Sequence, residues 1–566
     1  MYKNKKKNYP LYEVRKIENL RQLFNDTTER FAERTAFVYR EKGVEKSVTY
    51  KEFARQVNSV GTALCKMDLK RAHIAIIGEN SYGWVLAYWT VLNSAGVVIP
   101  IDKDLTPEDT EYILKTGDVA AIFYASSVAE KIEPLAEKLG ITTLIRTDDI
   151  KEIPQGKLFI KDMIEEGGKL LDSGDKTYLE IKHDDIDQLK QIMFTSGTTG
   201  KSKGVMHSER VLVTNAYNGQ RLLKITERSL SVLPYHHAYE ATAELIIIFH
   251  AGLSIMINES LRTLLPNLKK QRPTEMLIVP LYAESFYRRI WDKIDEGGKR
   301  KTVEKGIKIS RALLKIGIDI RKTLFKEIHA TFGGELKLLI CGGAPLKPAI
   351  CEFFNDIGIS LAIGYGITEC GPLVSINRPE YFDCSSVGLP LPSTEVRIDN
   401  PNEKGEGEIC VKGDNVMMGY YKNKEETDKV IKDGWFHTGD IGKIDERGIV
   451  FITGRCKNMI VLENGENVYP EAIEEALTDY PIVKEVVVFE AKRADSKAFL
   501  GAEIFPDMDY AAAKGIKDVE AEVKKCIDEY NAAQPPYKVI KQVTVRDTEF
   551  EKTTSKKIKR KYNNAK

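Results

Sequence analysis

The 566-residue chain is 42% hydrophobic and 30% charged, a globular composition in a chain long enough for more than one core. Its 84 Lys and Arg against 83 Asp and Glu leave a formal charge of +1, which excludes a globally basic nucleic-acid binder. More than one domain is expected.

The N-terminal MYKNKKKNYP is basic, but LYEVRKIENL follows it without the continuous apolar run of a secretory signal, so none is expected. From His73 to Ile101 the pattern predicts a strand (HIAIIG), a helix over Ser81 to Asn93 and a strand (GVVIPI), a β-α-β unit. Further strands are predicted at Ala120 to Tyr124, Thr142 to Ile145, Leu189 to Phe194, Ser254 to Ile257, Met276 to Val279, Leu336 to Ile340 and Leu361 to Ile363, with helical segments between several of them. This alternation implies an α/β architecture of buried, largely parallel strands. The most apolar stretch, Leu245 to Ile257, is interrupted by His250 and Gly252 and is too short to span a bilayer.

Directly after Phe194, Thr195 to Gly204 reads TSGTTGKSKG: five hydroxyl side chains, three glycines and two lysines in one turn. Glycines let backbone N–H groups approach anionic oxygens, hydroxyls add donors and lysines add charge, so the loop is built to hold phosphate. Gly200, Lys201 and Ser202 echo the end of a Walker A loop, but Thr195 stands where that motif needs its first glycine. A plain surface turn would not need so many donors.

Between Arg288 and Glu327 thirteen basic residues outnumber six acidic ones, and Ile307, Leu314 and Ile318 suit an amphipathic helix. Such a helix fits an anionic bilayer surface or simply a solvated face, and the sequence does not choose between them. After Tyr365 short β-rich pieces, Glu395 to Ile398 and Glu408 to Val411 among them, alternate with Gly, Pro, Asn and Asp turns, the pattern of a barrel-like subdomain. Beyond Gly454 a compact α+β domain is predicted: helix Pro470 to Thr478, strands Lys484 to Phe489 and Phe499 to Phe505, helix Lys517 to Asn531, strand Val539 to Val545. The eight cysteines include no C-x-x-C pair, which points to reduced thiols in a cytosol rather than a disulfide scaffold or zinc site. Only His236 and His237 lie close together among the histidines, so a structural metal site is not expected.

The loop resembles the phosphate-binding signature of the adenylate-forming superfamily at Thr195, Ser196, Gly197, Thr198, Thr199, Gly200, Lys203 and Gly204, with Ser202 where the family commonly has proline. Other segments resemble the family's further motifs in the family's order. CGGAPL matches the adenine-contacting turn at Gly342, Gly343, Ala344 and Pro345. In GYGITE, the resemblance gives Tyr365 a face for adenine, Thr368 a phosphate contact and Glu369 the hard oxygen that magnesium prefers, with Thr195 as a second metal ligand. WFHTGD matches at Asp440 the aspartate that accepts from both ribose hydroxyls, and Gly454-Arg455 places a permanently charged fork near ribose or phosphate. EKTTSKKIKR, with Glu551 for proline and Lys556 for glycine, makes Lys557 the catalytic lysine, which stabilises charge building at the α-phosphate. A plain basic tail is the competing reading of that segment.

In PYHHAYE, His237 matches the histidine before the acyl pocket, and Glu240 and KNMIVLENGENVYPEAIE look more like the long-chain fatty acyl-CoA synthetases. That subgroup lines its pantetheine path with the loop at Asn464 to Val468, and Val461 stands where several other members carry a lysine used in thioester formation. The resemblance implies a large N-terminal α/β domain with a β-barrel-like subdomain over 1–456 and a small mobile α+β domain over 457–566, hinged at Lys457. It implies an ATP-dependent ligase that converts a carboxylic acid, preferably a long-chain fatty acid, to acyl-AMP and pyrophosphate and then to acyl-CoA, using ATP, Mg2+ and coenzyme A. The expected location is cytoplasmic, with peripheral contact at the inner membrane face left open, and no nucleic-acid partner is expected. A close alternative loads a separate acyl carrier protein; more distant ones are a phosphoryl-transferring NTPase and a non-catalytic nucleotide-binding regulator.

Overall fold

A computed structural model describes residues 8–148, 157–195, 201–462, 467–492, 498–552, 558 and 560. Two large sheets dominate it. In the first, eight strands run in the order Gly419–Tyr420, Lys203–Ser208, Leu189–Thr195, Val97–Ile101, His73–Ile77, Val119–Tyr124, Thr143–Arg146, Leu158–Phe159. From Leu189–Thr195 onward neighbouring strands are parallel, and only the two edge pairings at Lys203–Ser208 are antiparallel. The second sheet has nine strands, parallel through its centre, from Thr35–Glu41 across Ser254–Ile257, Arg228–Ser231, Glu275–Ile278, Leu338–Cys341 and Ser360–Gly366, with antiparallel strands at both edges.

The expected β-α-β unit is present, and its helix shows why the pattern was readable. Ser81 caps Tyr82–Leu92 by accepting from the Trp84 N–H at 3.2 Å. All eleven residues of that helix are buried, so no polar face could mark its outer side. Trp84, Tyr88 and Trp89 join Phe24, Phe37, Phe53, Tyr50 and Phe249 in one aromatic core.

The connection that holds TSGTTGKSKG is a hairpin. Thr195 pairs with Lys203 and Phe194 with Gly204, and the chain enters a strand, not a helix, after the loop. A P-loop is followed by a helix whose N-terminus meets the phosphates, so the Walker A echo has no structural counterpart here.

The β-rich stretch after Tyr365 forms a five-stranded sheet from Thr394–Asp399, Gly407–Gly413, Trp435–Ile444 and Ile431–Lys432, with Val450–Arg455 against Trp435–Ile444. Further on, helices Pro470–Leu477 and Val519–Ala532 accompany the three-stranded sheet of Val483–Lys492, Ala498–Pro506 and Ile540–Val545 around a separate core. A helix over Met508–Lys514 joins them, which the sequence reading missed. By compactness the chain divides into two units, one of Met1–Val396, Val411–Phe436 and Gly448–Val450, the other of Arg397–Cys410, His437–Arg447 and Phe451–Lys566.

Two expectations change. Cys351 and Cys384 form a disulfide with Cα atoms 5.6 Å apart, so the all-reduced reading is corrected to six free thiols and one bridge. Residues 33 apart carry no spacing signal for such a pair. The basic stretch is not one amphipathic helix but Pro280–Glu296, Arg300–Lys315, Arg321–Leu324 and Lys326–Thr331, broken at Gly298 and Gly317, both at positive φ. Ile307 packs inward while Ile309, Ile316 and Ile318 are exposed. No described helix is long and apolar enough to cross a membrane.

Candidate nucleotide and acyl site

Thr195 is half-buried at the end of its strand; Ser196, Gly197, Thr198, Thr199 and Gly200 lie outside the described residues. The far side of the hairpin is well placed. The Lys203 ammonium bonds the Glu426 carboxylate and lies 5.1 Å from the centre of the Tyr420 ring. Bonds from Lys203 and then Lys429 hold the Glu426 carboxyl down to about 2. Lys201 lies 5.6 Å from the Tyr112 ring.

GYGITE ends the Ser360–Gly366 strand and turns through a 3-10 segment, Thr368–Cys370. Every carbonyl of that turn is tied down: Thr368 O by His207 Nε2 at 2.7 Å, Glu369 O by the Met417 N–H at 2.8 Å, and Cys370 O by Asn215 Nδ2 at 3.2 Å. Gly371 closes the turn at φ +68°, where a Cβ would lie 2.2 Å from Val211 Cγ1. The Tyr420 hydroxyl donates to Glu369 Oε1 at 2.8 Å. Burial first, and then the Glu369 charge, raise the Tyr420 phenol, which keeps its proton and so remains a donor.

Tyr420 therefore joins two motifs that lie far apart in the sequence, with the loop lysine over its ring and the GYGITE glutamate on its hydroxyl. Glu369 is half-buried on a fixed turn, and a carboxylate with a half-buried threonine hydroxyl in the same unit is the hard-oxygen chemistry that magnesium takes. The residues fit the ion. Tyr365 is 7% exposed and presents little ring to solvent, whereas Gly343, Ala344 and Pro345 form an exposed turn.

On the acyl side, His237 Nδ1 accepts from the Tyr239 N–H at 3.2 Å, and the Tyr239 hydroxyl donates to Ile340 O, just before the CGGAPL turn. His236 Nε2 lies 3.5 Å from Asp102. The chain then forms a π-helix over Glu240–Ile248, entirely buried. Glu240 Oε1 accepts from Ser231 Oγ at 2.7 Å and from the Leu233 N–H at 3.3 Å, but its Oε2 and both oxygens of Glu244, one turn on, have no hydrogen-bond partner among the described residues. Burial raises both carboxyls, each reinforced by a neighbouring glutamate, with Glu244 pushed up to about 8. They are therefore held as neutral acids.

In the other unit, the last four residues of WFHTGD, His437 to Asp440, are held by their neighbours: Asp440 N–H donates to Thr438 Oγ1, which donates to Ile409 O, while Glu408 accepts from the Gly439 N–H and lies 2.8 Å from His437 Nδ1. Asp440 is 4% exposed and pairs with Arg455, Nε to Oδ1 at 2.9 Å, so two residues matched separately to the nucleotide meet each other. Asp399, Cys410 and His437 bring one potential ligand atom each within 4.8 Å, a grouping not foreseen from the histidine spacing. The His437 nitrogen that faces the Cys410 thiol also meets Glu408, so hydrogen bonding already accounts for the group. Lys557 and the loop residues 464–466 lie outside the described residues. Arg560 pairs with Glu474, whose carboxyl burial pushes up to about 7, and burial lowers Lys457.

Sequence reasoning missed Tyr420, His207, Asn215 and Met417. Each reaches the turn across many intervening residues, and neither spacing nor composition signals such a contact.

The α/β fold and the hairpin joined to the GYGITE turn define a nucleotide-binding enzyme class. The AMP-binding enzyme family matches residues 24–421, its C-terminal domain matches 457–566, and the chain belongs to that family. It is 30% identical over 532 residues to the mouse long-chain-fatty-acid--CoA ligase 6, covering 85% of this chain and 74% of the relative. It is 27% identical over 561 residues to the long-chain-fatty-acid--CoA ligase FadD15 of Mycobacterium bovis, covering 92% and 90%. The same fold is seen in ATP-bound MatB from Rhodopseudomonas palustris, with a TM-score of 0.74, 24% identity and coverage of 96% and 97%. The anthranilate CoA ligase AuaEII with anthranoyl-AMP also has a TM-score of 0.74, at 19% identity and 96% coverage of each chain.

Proposed function

We propose that this protein is an AMP-forming acyl-CoA synthetase acting on long-chain fatty acids. A carboxylate is a poor electrophile. Its oxygen attacks the α-phosphorus of ATP, the bond to the β-phosphate oxygen breaks, and pyrophosphate leaves. The sulfur of coenzyme A then attacks the acyl carbon, losing its proton, and AMP leaves as the thioester forms. The observation that carries the reading is the Lys203–Tyr420–Glu369 junction, because it puts a phosphate-loop cation and a magnesium-type carboxylate on one rigid support.

In this reading Thr195 to Lys203, with Ser196, Gly197, Thr198, Thr199 and Gly200, receive the β- and γ-phosphates, and Thr368 adds a donor. Magnesium held by Glu369 and Thr195 would neutralise phosphate charge. Gly343, Ala344, Pro345 and Tyr365 form the adenine side. Asp440 exchanges its Arg455 contact for the ribose hydroxyls, freeing the guanidinium toward ribose or phosphate. Lys557 stabilises the charge developing at the α-phosphorus, and His237 stands at the entrance to the acyl pocket. A cytoplasmic placement with peripheral contact at an anionic bilayer fits the exposed Ile309 on the basic Arg300–Lys315 helix and the exposed Ile316 and Ile318 just beyond its end, since long-chain acids partition into lipid.

Product analysis tests the proposal. With palmitate, CoA and Mg-ATP, the expected products are AMP, pyrophosphate and palmitoyl-CoA in equal amounts. ADP or inorganic phosphate as the primary product would refute it, and thioester formation only on a carrier protein's phosphopantetheine would move the acceptor from CoA to that carrier.

A further inference from the structure

His207 is fully buried on the Lys203–Ser208 strand, and both ring nitrogens are engaged. Nε2 lies 2.7 Å from Thr368 O, and Nδ1 lies 3.1 Å from Gln191 Nε2. Gln191 Oε1 accepts from the Tyr88 hydroxyl at 2.7 Å, and Gln191 is itself fully buried on the adjacent strand. One assignment of protons satisfies the whole chain. A carbonyl can only accept, so Nε2 carries the hydrogen; Nδ1 then accepts, and the Gln191 amide turns its NH2 toward it and its oxygen toward Tyr88. Burial lowers the imidazole to about 4, which agrees with this neutral tautomer.

We propose that His207 is a positioning residue for the metal ligand Glu369, locking the Thr368–Cys370 turn to the sheet core through the Tyr88–Gln191–His207 relay. The inference rests on the reading of Glu369 as the magnesium ligand. The relay's reach gives it substance: it starts on the fully buried helix Tyr82–Leu92, crosses two strands of the eight-stranded sheet and ends on the backbone one residue before the glutamate. The other turn contacts hold Glu369 O and Cys370 O, and Thr368 O takes the Gly371 N–H at 3.1 Å from within the turn and His207 Nε2 from the sheet, so His207 is the bond that ties this carbonyl to the strand beside it. Buried groups that orient a metal ligand through its supporting hydrogen bonds typically change metal affinity by about 10–100-fold when removed.

The test uses Mn2+ as the probe, titrated into the full-length protein with saturating ATP and no fatty acid, with free ion read by electron paramagnetic resonance. H207L removes the donor and H207Q keeps an N–H that reaches Thr368 O, while E369Q removes the ligand charge; melting temperatures are recorded for each. The expected result is half-saturation raised about tenfold or more in H207L and E369Q, but within about twofold of wild type in H207Q. Should H207L not fold, H207N takes its place, because its shorter amide stops short of the carbonyl. Weak binding in E369Q with wild-type binding in H207L, or equal loss in H207L and H207Q, overturns the positioning role. Wild-type binding in E369Q overturns the magnesium reading and this inference with it.

Discussion

Glu244→Gln replaces a buried carboxyl with a neutral group of the same shape. Glu244 and Glu240 are fully buried, Glu275 adds to the burial that raises Glu244, and the phenols of Tyr235 and Tyr239 feel both carboxyls. Glu244 is raised from 4.5 to about 8, so between those values the folded protein keeps a proton that the unfolded chain releases. The stability it contributes is therefore full below the ordinary carboxyl range and is lost as pH rises toward about 8. The slope is at most about 1.4 kcal/mol per pH unit for one group, so wild type loses about 2–3 kcal/mol relative to the variant between pH 5 and 7. At pH 5 both side chains are neutral and the two proteins should differ by less than about 1 kcal/mol. For a cooperative unit of several hundred residues, each kcal/mol moves the melting point by about 1 °C. Calorimetry at pH 5, 6, 7 and 8 should show the E244Q melting point rising relative to wild type by about 2–3 °C across pH 5–7. A difference that does not change with pH would refute the neutral-acid reading.

Tyr420→Phe keeps the ring beneath Lys203 but removes the hydroxyl from Glu369; a lost bond to a charged group costs about 1.5–3 kcal/mol, so the half-saturating Mg2+ in ATP–pyrophosphate exchange should rise about tenfold or more. Asp440→Asn should weaken ATP binding by about tenfold or more through loss of a charge-assisted acceptor, while the melting point falls little because the Arg455 partner is half exposed and readily hydrated. Thiol titration of the protein unfolded without reductant should count six reactive cysteines, and eight only after reduction. Sedimentation with vesicles containing anionic phosphatidylglycerol should recover the protein at low salt, and Ile316→Ser with Ile318→Ser should reduce that fraction severalfold, whereas neutral phosphatidylcholine vesicles should recover little of either.

The parts of the fold readable from sequence are those with local causes. The Tyr82–Leu92 helix announces itself through its Ser81 cap, and the central strands through unbroken apolar runs such as HIAIIG. The loop's phosphate chemistry is likewise local, because glycines, hydroxyls and lysines act where they stand. The hairpin that carries it was not legible, since nothing in TSGTTGKSKG distinguishes a following strand from a following helix. Tyr420 and His207 were invisible for a different reason: they reach the GYGITE turn over separations of 51 and 161 residues, set by strand order rather than by any motif. Glu240 was legible as a family feature, but its burial beside Glu244 was not; the two are one turn apart on a helix with no exposed face, where charged residues would not be placed from hydropathy alone. Cys351 and Cys384 come together only because the chain returns to the same core after 33 residues.

Fatty-acid-dependent exchange of labelled pyrophosphate into ATP, measured without CoA on wild type and on Lys557→Ala, tests the adenylation step most directly. Exchange should require a long-chain acid and Mg2+, stop when either is omitted, and fall by orders of magnitude in the variant, on the order of 10²–10³ for loss of one transition-state charge contact, with ATP binding retained. Exchange that proceeds without any acid, or at the wild-type rate in Lys557→Ala, would contradict the account.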